Sequence, residues 1–361
     1  MAERKSYPFV PDVAIPPGET IAELLEERGI TQSDFAQLLG RTEKNVSQLI
    51  NGKAPIGHDL AIDLERVLGT PSSFWNNLES TYRDLLARQE EKGRLSAEMT
   101  WAKKFPLKEM ESQDIVARES SPSEQTACLL DYFGVASAEA WQGYWASPKR
   151  LAARMTSAYT PDIPALTVWL REGELAARDV QTAPFDAKAF ETVVRGAPAM
   201  TCRDIRLAIP DLQTSCAQTG VALVLVPELP KIRCSGVSRW LMSDKALIQL
   251  CLRYKTADQL WFSFFHEACH VLRHSKKRTY VAYPNGQSQE ELEANEFAAD
   301  TMIQPTAWSG FTAGGKPSRA QVVEFAAAQG IAPGIVVGRL QHKKIVTFAQ
   351  MNDLKVPLTW E

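Results

Sequence analysis

Two histidines four residues apart flank a glutamate in the run His266-Glu267-Ala268-Cys269-His270. On a helix, positions four apart share a face, so this spacing aims two imidazoles at one point and leaves the Glu267 carboxylate beside them on a different bearing. Paired imidazoles hold zinc and a neighbouring carboxylate moves protons, so the chemistry implied is metal-assisted hydrolysis. Three of the five histidines, His266, His270 and His274, fall within nine residues. Chance clustering explains this poorly.

Two histidines alone hold zinc weakly, and a catalytic site takes three protein ligands with the fourth position open. Candidates for the third are His274 and the acidic residues Glu290, Glu291, Glu293 and Glu296. Another helical turn carries His274 ~6 Å along the axis, too far to share the tetrahedron easily. A carboxylate on the following helix is therefore expected. Glu291 precedes Asn295 by four residues on a face that also carries Ala294 and Ala298. That register predicts Glu291 as the ligand and Asn295 as the group that bonds the outer nitrogen of a ligand histidine. Glu293, ~200° around the helix from Glu291, faces elsewhere and is the ligand if the register differs. Zinc held by His266, His270 and Glu291 would make hydroxide available near neutral pH, with Glu267 as the base that passes the proton to a leaving amine. Tyr280, Tyr283, Arg278 and Arg239 are candidate donors to the oxyanion, and the sequence leaves that choice open. Cys269, a cysteine on a buried helix, reads as packing.

The elements that must position these groups are legible around them. Asp258 opens a helix that runs through Trp261, Phe262, Phe264 and Phe265 into the histidines, so one side of the metal helix is expected to be buried. Upstream, residues 220–226 and 246–250 are short β-rich apolar runs and read as strands. Residues 101–218 are mostly helical by periodicity, with breaks expected at Pro106, Pro122, Pro148, Pro161, Pro164, Pro184, Pro198 and Pro210. Leu129, Leu130, Tyr132, Phe133, Trp141, Tyr144, Trp145, Val168, Trp169 and Leu170 supply a core there, and the stretch reads as a spacer without chemistry of its own. In the tail, residues 320–328 and 333–340 form a helix pair around Gly330 that is expected to pack on the same core.

The first quarter of the chain has a different pattern. Short helices are expected over residues 19–28, 32–39, 43–50 and 58–68, with a fifth opened by Pro71. Gly29 and Gly40 end the first two, while Thr31 and Thr42 cap the second and third. Phe35, Leu38 and Leu39 are placed inward on the second helix, and Leu60, Ile62, Leu64, Val67 and Leu68 form the apolar side of the fourth. Two short helices around a turn at Gly40 form a helix-turn-helix. The outer side of the second carries Thr42, Glu43, Lys44, Asn45, Ser47 and Gln48, types able to bond base edges in a major groove, and Gln32 is placed to bond a phosphate. Residues 90–94, polar and glycine-containing, read as a linker.

Net charge is −3, so no global basic field draws the chain to nucleic acid and any contact must be local. Six cysteines without a CxxC pair speak against a zinc ribbon or a dense disulfide frame, and are expected to be reduced and mostly buried. Neither a signal segment nor a membrane span is recognised, and a cytoplasmic protein is expected.

The run PGETIAELLEERGITQSDFAQLLGRTEKNVSQLINGKAPIGHDLAIDLERVLGTPSSFWNNLESTY resembles the HigA-like antitoxin branch of the lambda-repressor-like (XRE-type) helix-turn-helix family. The resemblance implies operator DNA as a partner, a homodimer, and Gln32, Thr42, Lys44, Asn45 and Gln48 as DNA contacts; the acidic Glu43 departs from a strongly basic reader. RCSGVSRWLMSDKALIQLCLRYKTADQLWFSFFHEACHVLRHSKK followed by EELEANEFAAD is similar to the ImmA/IrrE family of gluzincin-like zinc metallopeptidases. There a HExxH helix precedes an ExxANxFAA helix, which maps the metal to His266, His270 and Glu291, the catalytic role to Glu267 and the supporting role to Asn295. FAADTMIQP stands where an aliphatic FAAxLLMP is usual, so the wall near Asp300 and Gln304 is expected to differ. The layout expected is mainly α with a small α+β C-terminal domain: a five-helix DNA-binding domain over 1–93, a helical spacer over 94–215 and a metallopeptidase domain over 216–361. The function implied is a transcriptional regulator of antitoxin or repressor type whose zinc endopeptidase domain cleaves a regulatory protein. The alternative is a non-catalytic antitoxin whose metal domain senses a ligand or docks a cognate toxin.

Overall fold

The structure, a computed structural model, describes residues 14–147, 162–282 and 288–360. The chain divides into two compact units, Met1–Met99 with Ser121–Thr126, and Thr100–Ser120 with Ala127–Glu361. The first holds α1 (Pro17–Arg28), α2 (Gln32–Leu38), α3 (Glu43–Ile50), α4 (His58–Leu68) and most of α5 (Ser72–Ala102). Local chemistry sets these boundaries. The Thr31 and Thr42 hydroxyls accept from the backbone N–H of Asp34 and Asn45, capping α2 and α3, and left-handed Gly29 and Gly69 close α1 and α4. Ile21, Phe35, Val46, Leu49, Leu64, Leu68 and Trp75 form the core. The start of α1 lies on the end of α3 at Gly18, where any Cβ would collide with the Ile50 carbonyl.

Three expectations in this unit are corrected. Leu38 and Ile62 face solvent, at 58% and 43% exposure. Here α2 stops at Leu38 and leaves the inward positions to Phe35, Ala36 and Leu39, while Ile62 sits two positions from both Leu60 and Leu64 and so on the far side of α4. Residues 90–94 are not a break: α5 runs through Gly93 without interruption, supported by Arg88–Asp84 and Arg94–Glu91 pairs at one-turn spacing.

In the second unit, α6 (Leu107–Ser112), the part of α7 (Pro122–Phe133) beyond Thr126, and α8 (Ala138–Tyr144) surround an edge-to-face aromatic cluster of Trp101, Phe105, Phe133, Trp141 and Trp145. Tyr144 stands outside it at 49% exposure. Next come α9 (Ile163–Asp179), α10 (Ala187–Gly196) and α11 (Ile205–Ala217). Pro210 does not break the chain as expected but lies inside α11, whose first turn is capped by Asp204; Pro148 and Pro161 lie outside the described residues. The sheet has β1 (Val221–Leu225), β2 (Gly236–Met242), β3 (Lys245–Leu250) and β4 (Tyr280–Val281) in the order β1-β3-β2-β4. Its β1 and β3 run parallel, and β2 is antiparallel to both β3 and β4. β2 and β4 escape the sequence reading because Gly236, Ser238 and Arg239 interrupt the apolar run of one and the other is two residues long.

The two-residue period of β3 assigns its sides. Ala246, Ile248 and Leu250 join the core formed with Phe264 and Phe265, while Gln249 turns to α9 and donates to the Trp169 carbonyl at 2.8 Å. Trp169 in turn donates its indole N–H to the Val226 carbonyl, and Gly173 leaves the room that the Gln249 amide occupies. The stretch read as a spacer thus supplies α9, α10 and α11 to the packing around the sheet, with Phe190, Val194, Leu212 and Cys216 in the same core as β1 and β3. The remaining helices are α12 (Ala257–Arg273), α13 (Gln289–Met302), α14 (Pro305–Thr312), α15 (Arg319–Gln329) and α16 (Pro333–His342). The tail pair packs as expected: Val322, Ala326, Ile335, Val336 and Leu340 are all in the core. Arg339 binds the Ala299 and Ile303 carbonyls and the Asp300 carboxylate, so the unusual Asp300 ties α13 to α16. All six cysteines are free, four of them buried, with Cys128 half-buried and Cys202 exposed. Among the described residues no single helix is long and apolar enough to cross a membrane.

Candidate functional site

The metal helix α12 is held from below by Trp261, Phe264 and Phe265, each essentially fully buried and each contributing ~1.5–3 kcal/mol of burial. Its opposite side presents His266 and His270 to α13. The His266 and His270 Nε2 atoms are 3.2 Å apart, and the Glu291 carboxylate straddles them at 3.3 Å from His266 and 3.4 Å from His270. A tetrahedron with ~2.0–2.1 Å bonds has edges of ~3.3–3.4 Å, so the two ring nitrogens and the carboxylate that spans them are spaced on the scale a zinc ion needs. Asn295 Oδ1, an acceptor only, lies 3.1 Å from His266 Nδ1. It places the proton on Nδ1 and leaves the Nε2 lone pair for a cation.

The charges fit the same purpose. Burial alone would push the Glu291 carboxyl up, but hydrogen bonds from His266 and His270 and their charge hold it down to about 2. Burial opposes charging His266, yet Glu291, Glu267 and Asn295 outweigh it and its pKa is raised. His270 goes the other way, to about 4, because burial dominates. Such a set is one carboxylate facing two rings that compete for one proton. A divalent cation would resolve that competition.

Glu267 is wholly buried, and neither carboxylate oxygen has a hydrogen-bond partner among the described residues. Burial raises its pKa to about 8, against the opposing charge of His266, and the Ser238 hydroxyl on β2 is likewise without a hydrogen-bond partner among the described residues. An orphaned buried carboxylate next to His266 and three residues from His270 indicates a cation or water in its neighbourhood. β2 makes room for it at Gly236, where a Cβ would come within 2.8 Å of Glu267 Oε1. Sequence reasoning missed Gly236, because Ser238 and Arg239 break the apolar run that it opens and hide β2.

The remaining candidates are also placed. His274 does not share the tetrahedron but bonds His270 ring to ring at 2.7 Å. Glu293 faces His274 and Arg273, not the triad. Tyr280 stacks on the His270 ring at 4.4 Å and its hydroxyl accepts from the Ser275 N–H. Arg278 pairs with Glu290, and Arg239 is engaged on α9 through the Leu170 carbonyl and Glu174. Tyr283 lies outside the described residues. A cavity of about 880 Å³ opens beside His266, Glu291 and Asn295 and is walled by Tyr254, Phe262, Leu292 and Phe348.

In the first unit, Gln32, Thr42, Lys44 and Asn45 are exposed and Gln48 is half-buried. The Thr42 hydroxyl is occupied in capping α3 and bonds the Asn45 side chain. Ser33 on α2 donates to the Glu43 carboxylate at 2.6 Å, drawing the one acidic group on this face toward the preceding helix.

A lambda-repressor-like helix-turn-helix unit and an α+β unit with a histidine and carboxylate cluster define a DNA-binding regulator joined to a metallopeptidase-like domain. Comparison with known proteins agrees. The helix-turn-helix family model matches residues 21–75, and the IrrE N-terminal-like domain model matches residues 249–327. An uncharacterized HTH-type transcriptional regulator of Escherichia coli (strain K12), YddM, is 32% identical over 66 residues, 18% of this chain and 70% of that protein. A solved structure from Nostoc punctiforme, described as an antidote protein of a plasmid maintenance system, is 34% identical over 24% of this chain and 93% of its own, with a TM-score of 0.23. An addiction module antidote protein of a HigA family from Coxiella burnetii is 28% identical over 24% of this chain and 94% of its own, with a TM-score of 0.22. The chain belongs to the XRE-type helix-turn-helix regulators and carries an IrrE-like peptidase domain in its C-terminal part.

Proposed function

We propose that this protein is a transcriptional regulator of antitoxin or repressor type whose C-terminal domain is a zinc-dependent endopeptidase that cuts a regulatory protein. The observation that carries the reading is the convergence of His266, His270 and Glu291 at tetrahedral spacing with an unpartnered Glu267 carboxylate alongside. A zinc ion held there would supply Lewis acidity, polarising a peptide carbonyl and acidifying water. Glu267 takes the proton from the attacking water and returns it to the amine nitrogen as the peptide bond breaks. Asn295 keeps His266 in the tautomer that a cation needs. The cavity walls, with Leu292 at 52% and Phe348 at 73% exposure, favour apolar side chains near the cut. In the other unit Gln32, Lys44, Asn45 and Gln48 meet operator DNA from a homodimer, with Thr42 serving mainly to fix the start of the reading helix.

One observation favours a second reading, a non-catalytic regulator whose metal domain senses a ligand or docks a toxin. Glu267 is wholly buried, and burial raises its carboxyl to about 8, which disfavours the charged form that a general base needs. Zinc content and substrate cleavage measured on wild type and Glu267→Gln separate the two readings. Retained zinc with lost cleavage supports the peptidase; a cellular phenotype unchanged in Glu267→Gln removes hydrolysis as the function.

A further inference from the structure

Three side chains with ligand chemistry lie next to this site, and none of them is among its three proposed ligands. Ligand atoms of Cys269, His274 and Glu293 all fall within 4.8 Å of one another. Two local features assemble them. α12 ends at Arg273, and His274 leaves it in an extended conformation at φ −107° and ψ 173°, which brings its ring beside His270 instead of one turn further on. On α13, Glu291 and Glu293 are two positions apart and so point ~200° away from each other. Glu291 takes the His266 and His270 side, and Glu293 Oε2 lies 3.3 Å from His274 Nε2. Arg273 engages the other oxygen, Oε1, at 3.2 Å. Cys269 is fully buried while the Glu293 side chain is 39% exposed, so the cluster is closed on its helix side and open past Glu293.

We propose that Cys269, His274 and Glu293 form a second metal site for a thiophilic divalent cation of the zinc class, and that filling it opposes metal binding by His266, His270 and Glu291. Thiolate, imidazole and carboxylate together are a zinc-type donor set, and the sulfur selects against magnesium and calcium. The opposition follows from counting protons. The His270 Nδ1 to His274 Nδ1 bond, 2.7 Å long, holds one. When His270 Nε2 serves a metal, that proton sits on His270 Nδ1; His274 accepts it and keeps its own proton on Nε2, directed at Glu293. When His274 Nε2 serves a metal, the shared proton sits on His274 Nδ1, and His270 must carry a proton on Nε2, where the first ion would bind. With both sites filled, two N–H groups face each other at hydrogen-bonding distance. Scarce metal therefore fills the stronger site, and excess metal acts as a brake on it. The coupling rests on His270 being a ligand of the first site; the second site does not.

Cobalt(II) titration of the metal-free full chain tests both halves, because cobalt bound by sulfur gives a thiolate charge-transfer band and cobalt bound by nitrogen and oxygen alone does not. The expected result is a thiolate band that grows in cobalt excess, disappears in Cys269→Ser and weakens in Glu293→Gln. His274→Gln, which preserves hydrogen-bonding capacity and leaves the thiol in place, should also weaken it, guarding against a folding defect in Cys269→Ser. In Glu291→Gln, which weakens the first site, the band should appear at roughly 5–150-fold lower cobalt. A wild type without any thiolate band, or a band that survives Cys269→Ser, overturns the second site. Equal midpoints in wild type and Glu291→Gln overturn the coupling. Ligand-field bands without sulfur, lost in His266→Ala, report the first site separately, so its failure is distinguishable.

Discussion

On α3 the proposed DNA contacts Lys44 and Asn45 stand in solvent and Gln48 is half-buried, with Val46 and Leu49 turned inward as anchors, whereas on α12 His266, Glu267 and His270 are 4%, 0% and 2% exposed. The difference lies in what holds each group still. Among the described residues Lys44, exposed on α3, has no partner holding its side chain, so a DNA phosphate would have to order it on binding. His266 and His270 are each gripped at the far nitrogen, by Asn295 and His274, and Glu267 fits only because Gly236 lacks a side chain. A solvent-facing set can change type at little cost to the fold. A buried set couples function to stability, so only isosteric changes separate the two.

The largest expected effect uses that isosteric route. Glu267→Gln keeps shape and removes the base, so cleavage should fall roughly 10²–10⁴-fold while zinc per chain, read by atomic spectroscopy, stays at the wild-type level. Persistent cleavage would remove Glu267 from the chemistry. Gly236→Ala probes the same carboxylate from the strand. Its Cβ would come within 2.8 Å of Glu267 Oε1, and displacement of a catalytic group by ~1 Å costs on the order of 10²-fold. A lower melting temperature is expected with it, and unchanged stability and turnover would show that β2 gives way freely.

Buried carboxylates also predict a pH signature for the second unit. Burial raises Glu172 on α9 from 4.5 to about 7, and its Oε1 has no hydrogen-bond partner among the described residues. The native state therefore binds more protons than the unfolded state between these values. The contribution is fully present below pH 4.5, declines as pH rises and is gone above about 7, amounting to about 2–3 kcal/mol. Denaturant melts at pH 5 and pH 8 should show this loss, and Glu172→Gln should reduce it, leaving the part that Glu267 contributes over the same window. An equal slope in the variant would assign the pH dependence to other groups.

The same contrast explains what could be read in advance. Boundaries of α3 and α4, and the face shared by Glu291 and Asn295, follow from caps and helical period, which are local. Leu38 and Ile62 were misassigned because an apolar residue does not say which side of a short helix is covered. β2 was invisible because its Gly236, Ser238 and Arg239 answer to Glu267 and α9, partners far away in sequence. Pro210 and Gly93 were read as breaks on local propensity, and in each case the helix continues. His274 stands outside the His266, His270 and Glu291 group, and its contact with His270 depends on how α12 ends, which spacing alone does not reveal.

The smallest effects belong to α3, where two neighbouring side chains should fail in different ways. Gln48, half-buried near the inward face, is proposed to bond a base edge, so Gln48→Ala should cost ~1–3 kcal/mol on the preferred operator and relax the preference at that position. Lys44, exposed at the start of the helix, suits a phosphate, so Lys44→Ala should weaken preferred and scrambled duplexes alike and lower the salt slope by about 1. Neither should move the unfolding free energy by more than ~0.5 kcal/mol. Binding titrations on both duplexes at two salt concentrations, paired with melts, make the comparison. If either variant destabilises the unit, these side chains support the fold as the α12 residues do, and the division between a freely exposed reader and a buried metal centre no longer holds.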